Sequence, residues 1–218
     1  MDYSAQKIAK MFRIACFVSF SLTIFSCQNE KLLPYYNSPD FTPLFISENE
    51  AEEKITHRIA DFSFSDQNNK RITQKEIEGK IHVANFFFTS CGFICPRMTN
   101  HMKLVQKEFG NDTSVAILSF TVTPWIDDVK KLKEYADLNQ ITSPNWNLLT
   151  GNKSSIYTLA RQSYFAEEEL GFTKDSTEFM HTEHFILVDK NKRIRGIYNG
   201  TLELDVQQLI EDIKALKK

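Results

Sequence analysis

Two cysteines separated by three residues are the side chains in this sequence with the clearest capacity for chemistry. Cys91 and Cys95 stand in the segment Thr-Ser-Cys-Gly-Phe-Ile-Cys-Pro, residues 89–96. A nearly continuous apolar run over 81–88 precedes them and predicts a buried strand, and a helical pattern over 97–109 follows. Unpaired amides and the dipole at the start of a helix favour the thiolate form of a cysteine. The pair is therefore predicted to be nucleophilic and able to bind a metal.

Other roles for this pair fit the sequence less well. A structural disulfide across so short a loop would constrain the unfolded chain little. A structural zinc site needs a second pair of ligands beyond Cys91 and Cys95. A peroxidase would use a lone reactive cysteine, with Thr89 and Arg97 beside it, and the pairing of the cysteines argues against that reading.

The N-terminal segment is predicted to be a targeting signal. Three basic residues precede a mostly apolar run over 14–25, which is shorter than the roughly 20 residues that a membrane-spanning helix needs. The segment Ile-Phe-Ser at 24–26, followed by Cys27, resembles a bacterial lipobox. We expect residues 1–26 to be a lipoprotein signal peptide and Cys27 to be the lipidated residue; an uncleaved anchor with an ordinary thiol is the alternative. The protein would then be a membrane-anchored lipoprotein of the bacterial cell envelope, facing the periplasm.

Composition excludes several classes of protein. The 218 residues carry 26 Lys and Arg against 28 Asp and Glu, a net charge of −2, so we expect no binding to nucleic acid. Four cysteines are too few for a small protein built on disulfides. The 18 phenylalanines provide ample apolar surface for a core.

The order of predicted elements indicates an α/β fold. Residues 27–56 contain three prolines and no sustained period, and are predicted to be a tether and an irregular lead-in. A hairpin pattern around 61–73 comes next, strand and helix patterns then alternate, and the chain ends in a hairpin and a helix. Residues 57–218 are therefore predicted to form a thioredoxin-like sandwich with an N-terminal β-hairpin extension and a C-terminal β-hairpin plus helix.

The cysteine motif resembles one family in particular. Cys-x-x-x-Cys-Pro after a strand that ends in Asn-Phe-Phe-Phe-Thr, residues 85–89, is similar to the Sco/SenC family, the copper-handling proteins of cytochrome c oxidase assembly. Ordinary thioredoxins have Cys-x-x-Cys instead. The resemblance spans roughly residues 57–218. It implies one distal histidine before the strand that precedes the C-terminal hairpin, and the match is His181, with His184 as the alternative.

The resemblance also implies a function. Cys91, Cys95 and His181 would bind a copper ion, as Cu(I) or Cu(II), and deliver it to the oxidase subunit that carries the CuA site. Two thiolates and an imidazole suit this metal, and loading needs a thiol reductant because the cysteines must be reduced. One departure concerns the second family motif, where Thr123 stands before Pro124 in place of the usual aspartate.

An enzyme is the alternative to a metal carrier. In a thiol–disulfide oxidoreductase of the envelope, Cys91 would attack and Cys95 would resolve, which would keep cysteines of an oxidase subunit reduced. Thioredoxin-type oxidoreductases usually place a cis-proline near the cysteine pair, whereas the corresponding loop here holds His181, and this favours the metal. The remaining histidines and two methionines are expected to be structural: His57, His82, His101, Met98 and Met102.

Overall fold

A computed structural model of the chain describes residues 32–166 and 182–218. Its main sheet contains β3 (Ile81–Phe87), β4 (Val115–Thr121), β5 (Trp146–Leu149), β6 (His184–Val188) and β7 (Ile194–Asn199). The strand order is β5-β4-β3-β6-β7. Strands β3, β4 and β5 are parallel, while β6 and β7 are antiparallel to their neighbours. A separate hairpin pairs β1 (Ser63–Ser65) with β2 (Arg71–Thr73).

Helix α1 (Glu48–Lys54) packs against Tyr35, apart from the two apolar clusters of the main sheet. The faces of that sheet are covered by α2 (Ile94–Phe109), α3 (Val129–Leu138), α4 (Lys153–Thr158) and α5 (Glu203–Leu216). Helices α2, α3 and α5 share one apolar cluster with the sheet, and the β1–β2 hairpin and α4 share the other. This arrangement confirms the predicted thioredoxin-like α/β fold with its two hairpins.

The two clusters explain why the central strands are continuously apolar. Successive side chains of a strand point to opposite faces, so both faces of a covered strand must be apolar. On β3, Val83 joins the cluster of α2, whereas Phe86 joins the other, where its ring stacks on Phe120 with centroids 5.3 Å apart. The predicted core methionines Met98 and Met102 are both buried, 1% exposed.

The segment predicted to be an irregular lead-in is partly helical, and that part of the prediction was wrong. Within 27–56, helix α1 begins at a capping box in which Ser47 and Glu50 each bond the backbone amide of the other. Buried Ala51 of this helix and Ile55, which follows its last residue, pack against Tyr35. The Ser-x-x-Glu signal stands in the sequence at 47–50, but the surrounding prolines and acidic residues obscured it. The domain boundary at residue 57 stays a prediction, and residues 1–26 and Cys27 lie outside the described residues.

An arginine on the outermost strand holds the start of the described chain. Arg195 of β7 donates to the carbonyl oxygens of Leu33 at 2.8 Å and Pro34 at 3.0 Å. Its guanidinium lies 3.7 Å from the ring centroid of Tyr35, and the amide of Tyr36 donates to Ile194 at 3.1 Å. Residues 33–36 therefore form a strap across the beginning of β7. Over the described ranges, no helix is both long and apolar enough to cross a bilayer.

Candidate metal and redox centre

The two cysteines lie at the edge of the main sheet where β3 ends. Strand β3 stops at Phe87 and α2 begins at Ile94, so Cys91 stands in the connecting loop and Cys95 in the first turn of the helix. Both side chains are free thiols; Cys91 is half-buried and Cys95 is 1% exposed. The predicted placement between a buried strand and a helix is confirmed.

The start of α2 stabilises a thiolate on Cys91. The amide of Cys95 donates to the Cys91 sulfur at 3.4 Å, and the amides of Phe93 and Ile94 also point to it. Burial would raise the pKa of the Cys91 thiol, but these amides together lower that pKa below its usual value. Pro96 occupies the first turn, where its missing N–H breaks no helical hydrogen bond. Cys91 is therefore the more nucleophilic sulfur of the pair.

Cys95 has the opposite environment. Burial is the main cause that raises the pKa of its thiol to about 12, and the negative charges of Cys91 and Asp127 act in the same direction. The Cys95 thiol is also hydrogen-bonded to the Cys91 sulfur. Cys91 therefore loses its proton at a lower pH than Cys95 does.

A buried carboxylate connects the cysteine loop to the next loop of the fold. Asp127 is 0% exposed and accepts hydrogen bonds from the Thr89 amide at 3.1 Å and the Thr89 hydroxyl at 2.5 Å. It also accepts from the hydroxyls of Thr121 at 2.5 Å and Thr123 at 2.9 Å. Thr123, which departs from the family motif, is thus one of three threonines that bind this carboxylate.

Sequence reasoning did not assign Asp127 to the site. Two aspartates stand together at 127–128, and only Asp128 begins the next helix: it caps α3 by accepting from the Lys131 amide at 2.8 Å. Asp127 turns inward instead. The alternation of Thr121 and Thr123 at the end of a buried strand is the one signal in the sequence that buried hydroxyls there need a partner.

The predicted third ligand, His181, lies outside the described residues, as do Cys16 and Cys27. Across 32–166 and 182–218, no three His, Cys, Asp or Glu side chains come close enough together to hold a metal ion. The structure therefore brings together Cys91 and Cys95 only. The alternative ligand, His184, is half-buried at the start of β6, with its ring 6.2 Å from that of Phe41.

The other three histidines are structural, as predicted. The ring nitrogens of His57 and His101 lie 2.8 Å from the carbonyl oxygens of Ser163 and Gly200. His82 is fully buried beside the Tyr164 hydroxyl at 3.0 Å, and burial lowers its pKa to about 3.

The chemistry of the two sulfurs fits a soft metal. Thiolates are the preferred protein ligands of Cu(I), and the lowered pKa of Cys91 reduces the proton cost of supplying one. The Cys95 sulfur lies within hydrogen-bonding distance of the Cys91 sulfur and can supply the second thiolate ligand when the Cys95 proton leaves. Strand β6, which follows the predicted third ligand in sequence, begins near the end of β3 that leads to the cysteines. Ala84 of β3 pairs with Ile186 of β6, and the same antiparallel register continued by two residues puts His184 opposite Phe86.

Comparison with known proteins places the chain in a family. A family model described as SCO1/SenC matches residues 50–218. The SCO1 protein homolog of Bacillus subtilis (strain 168) is 31% identical over 166 residues, which cover 75% of this chain and 85% of that protein.

Solved structures agree in fold. BsSco, described as a member of the Sco family of cytochrome c oxidase assembly proteins with a disulfide switch, has a TM-score of 0.63 at 31% identity, covering 74% of this chain and 94% of that one. A SCO1/SenC family lipoprotein from Bacillus anthracis str. Ames has a TM-score of 0.65 at 28% identity, and the match covers 75% of this chain and 97% of that one. Copper-bound ScoI of Bradyrhizobium japonicum shares the fold, with a TM-score of 0.57 at 24% identity; the match covers 72% of this chain and 98% of that one. From the extent of these matches and the Cys-x-x-x-Cys-Pro motif at the start of α2, we conclude that this chain belongs to the SCO1/SenC family.

Proposed function

We propose that this protein is a copper metallochaperone of the cell envelope that delivers copper to the CuA site of cytochrome c oxidase. The observation that carries the proposal is the pair of free thiols Cys91 and Cys95, in which three backbone amides lower the pKa of the first thiol. Copper is the cargo of such a protein, so the site must both accept and release it.

Copper loading would use two sulfurs and an imidazole. Cys91 and Cys95 provide soft ligands on adjoining positions of the loop and first turn, and His181 is the third ligand by the register of the family motif. Because Cys95 is protonated at neutral pH, binding of copper by both sulfurs releases a proton. Affinity should therefore rise with pH.

Thiol redox chemistry would control this loading. Oxidation of the pair to a disulfide removes two electrons and two protons and leaves no thiolate ligand. A thiol reductant must reverse that step before copper binds. The related BsSco is described as having a disulfide switch, which supports the same coupling here.

The proposed location follows from the N-terminus. Signal peptide cleavage after residue 26 and lipidation of Cys27 would anchor the domain to a membrane, facing the periplasm. The Bacillus anthracis relative is described as a lipoprotein, which supports this anchor. Replacing Cys27 with Ser should abolish incorporation of labelled palmitate, and unchanged labelling would contradict the anchor.

Anaerobic copper titration of the purified, reduced protein tests the main proposal. We expect the wild type to bind Cu(I) near one equivalent in competition with a chromophoric chelator. His181→Ala should weaken binding strongly, whereas the matched variant His184→Ala should not. Cys91→Ser should abolish tight binding. A wild type that fails to bind near stoichiometry contradicts the chaperone, and loss of affinity in His184→Ala alone would move the third ligand to His184.

The alternative is an envelope thiol–disulfide oxidoreductase that reduces cysteines of an oxidase subunit. The contrast between an activated Cys91 and a protonated Cys95 favours it, because an attacking thiolate and a resolving thiol need that difference. Turnover of an insulin disulfide with dithiothreitol measures this activity. Fast turnover together with weak copper binding would favour the enzyme, and negligible turnover with tight copper binding would favour the chaperone.

A further inference from the structure

We propose that an apolar rim formed by Phe93, Trp125 and Ile126 beside the cysteine pair is a docking surface for a client polypeptide whose own cysteine is flanked by apolar side chains. This inference rests on the proposed function, in either its copper or its thiol form, because both require a client sulfur to reach Cys91. It adds the chemistry by which that client is recognised.

The side chain of Phe93 lies outside the apolar clusters of the described domain. It lies between the two cysteines and its side chain is 91% exposed. It also occupies the N-cap position of α2 without making a side-chain cap hydrogen bond. Ser, Thr, Asp or Asn would stabilise the helix at this position, so phenylalanine departs from the usual N-cap preference. Departures from local preference of this kind are expected at functional sites.

Trp125 and Ile126 lie in the neighbouring loop, between β4 and α3. They are 60% and 50% exposed. Two contacts hold this loop against the cysteine loop: the amide of Val122 donates to Phe87 at 2.9 Å, and Asp127 binds Thr89. Three large exposed apolar side chains therefore stand on two adjoining loops at the edge that carries the sulfurs.

A cation lies over the ring of the tryptophan. The Lys153 ammonium lies 4.8 Å from the centroid of the Trp125 ring, and 5.2 Å from that of Tyr157. Cation–π contact of this kind covers part of the ring and leaves the rest available. It also favours one orientation of the ring, which reduces the entropy that an interface anchor loses on binding.

The charges at the site favour apolar recognition. The cysteine loop and first turn, 89–96, contain no Asp, Glu, Lys, Arg or His, and neither does the segment 121–126; the Lys153 ammonium over Trp125 is a charge contributed from outside them. Exposed apolar patches of this kind mark interaction surfaces, and aromatic residues are enriched at the centres of protein interfaces. A client complementary to this rim would carry apolar side chains on either side of its own reactive cysteine sulfur.

A protein fits this rim better than a lipid surface. Transfer of copper or of a disulfide needs a client sulfur within bonding reach of Cys91, about 2 Å for a sulfur–sulfur bond. A polypeptide that approaches so closely also covers part of Phe93, two residues away, whereas a very small disulfide does not. The described chain, by contrast, begins at the strap at 33–36, which lies at the beginning of β7. The sulfurs lie at the opposite edge, where β7 ends, because His184 pairs with Asn199.

Exchange with two model peptides tests the proposal. Each is a mixed disulfide between one cysteine and 2-nitro-5-thiobenzoate; the flanking residues are Leu and Phe in one and Ser and Asn in the other, with equal charge. The Cys91 thiolate attacks the peptide sulfur, a new disulfide forms, and the coloured aryl thiolate leaves. The Cys95 thiol then attacks Cys91, loses its proton and releases the peptide thiol. The dithiol is oxidised by two electrons and the mixed disulfide is reduced by two.

We expect the full chain, purified in phosphatidylcholine nanodiscs, to react about tenfold faster with the apolar peptide, the effect of partly burying one or two aromatic side chains. The double variant Phe93→Ser/Trp125→Ser should lose this preference, yet react at the wild-type rate with hydroxyethyl disulfide, which is too small to cover the rim. Leu138→Ser is the matched control, because Leu138 is 82% exposed at the far end of α3.

Three outcomes would contradict either the docking surface or the proposed function, and each can be distinguished from the others. Equal rates for the two peptides, with normal reaction of hydroxyethyl disulfide, would overturn the rim and leave the proposed function intact. Failure of the wild type to react with any disulfide or to bind copper would contradict the proposed function itself. Protection of Trp125 from acrylamide quenching by the nanodisc before any peptide is added would assign the rim to lipid and overturn the client proposal.

Discussion

Asp127 binds both the backbone amide and the hydroxyl of Thr89, two residues before Cys91. The carboxylate thus fixes the loop that presents the attacking sulfur, from the loop that follows the neighbouring strand. It lies near the cysteines without contacting the Cys91 sulfur, so its role is to position the loop. The family motif has an aspartate at the position of Thr123, and here the threonine hydroxyl donates to Asp127 instead.

Replacing this carboxylate should loosen the site. Asp127→Ala leaves buried donors of three threonines without an acceptor, and we expect a loss of about 3 kcal/mol or more in the free energy of unfolding, measured in urea. Asp127→Asn retains most of the volume and should fold better. In both variants, Cu(I) affinity should fall because the Cys91 loop is no longer held.

Asp128 provides the control for this effect. Its side chain caps α3, so Asp128→Ala should cost about 1 kcal/mol of stability. Copper affinity should not change, since α3 carries no ligand. If Asp127→Asn bound copper as tightly as the wild type, the positioning role of Asp127 would be wrong.

The two thiols should react over different pH ranges. In Cys95→Ser, alkylation of Cys91 by iodoacetamide should reach half its maximal rate below the usual pKa of a thiol, because backbone amides stabilise the thiolate. In Cys91→Ser, Cys95 should react only at much higher pH, because burial raises its pKa. Coincident pH profiles in the two variants would contradict the predicted asymmetry.

The raised pKa of Cys95 also determines how the stability of the reduced protein changes with pH. The folded state holds the Cys95 proton more tightly than the unfolded state does. The reduced protein should therefore lose stability as the pH rises from the usual thiol pKa toward about 12. Urea unfolding of the wild type and of Cys95→Ser over this range gives the measurement, and the variant should lose less.

His82 should make the domain sensitive to acid. Burial lowers its pKa to about 3, so the unfolded state binds a proton at a higher pH than the folded state does. Stability should therefore fall as the pH drops from about 6.5 toward 3, by roughly 2 kcal/mol between pH 6.5 and pH 4.5. His82→Gln should remove most of this slope in urea unfolding, whatever its effect at neutral pH.

The histidine control is His101, which is half-buried at the surface of α2. The matched variant His101→Gln removes a histidine and leaves the contact of His82 with Tyr164 in place. If His82→Gln kept the wild-type dependence of stability on pH, the acid sensitivity would belong to other groups.

Apolar periodicity predicted most of the fold because covered strands and helices must present apolar side chains in fixed patterns. The runs before and after the cysteines became β3 and β4, and the helical spacing of Met98 and Met102 became the buried face of α2. Helix α2 begins at Ile94, three residues earlier than the apolar pattern indicated, because the cysteine turn itself is helical. The short helix α1 was missed because a helix of seven residues gives little periodic signal.

The candidate site was predictable only in part. The spacing of Cys91 and Cys95 is local information and identified the pair. The inward turn of Asp127 depends on hydrogen bonds to Thr89, 38 residues away, which no local pattern encodes. The exposure of Phe93 was equally unreadable, since apolar side chains are normally assigned to the core.

The strap across β7 has a consequence for truncated forms of this protein. Strand β7 is an outer strand, and Tyr36 occupies part of its open backbone. A fragment cut at residue 50, where the family match begins, would lack that cover and would expose the side of β7 that Arg195 and Tyr35 now close. Uncovered outer strands invite edge-to-edge association. Soluble fragments that begin at residue 32 should stay monomeric at concentrations where those beginning at residue 50 aggregate.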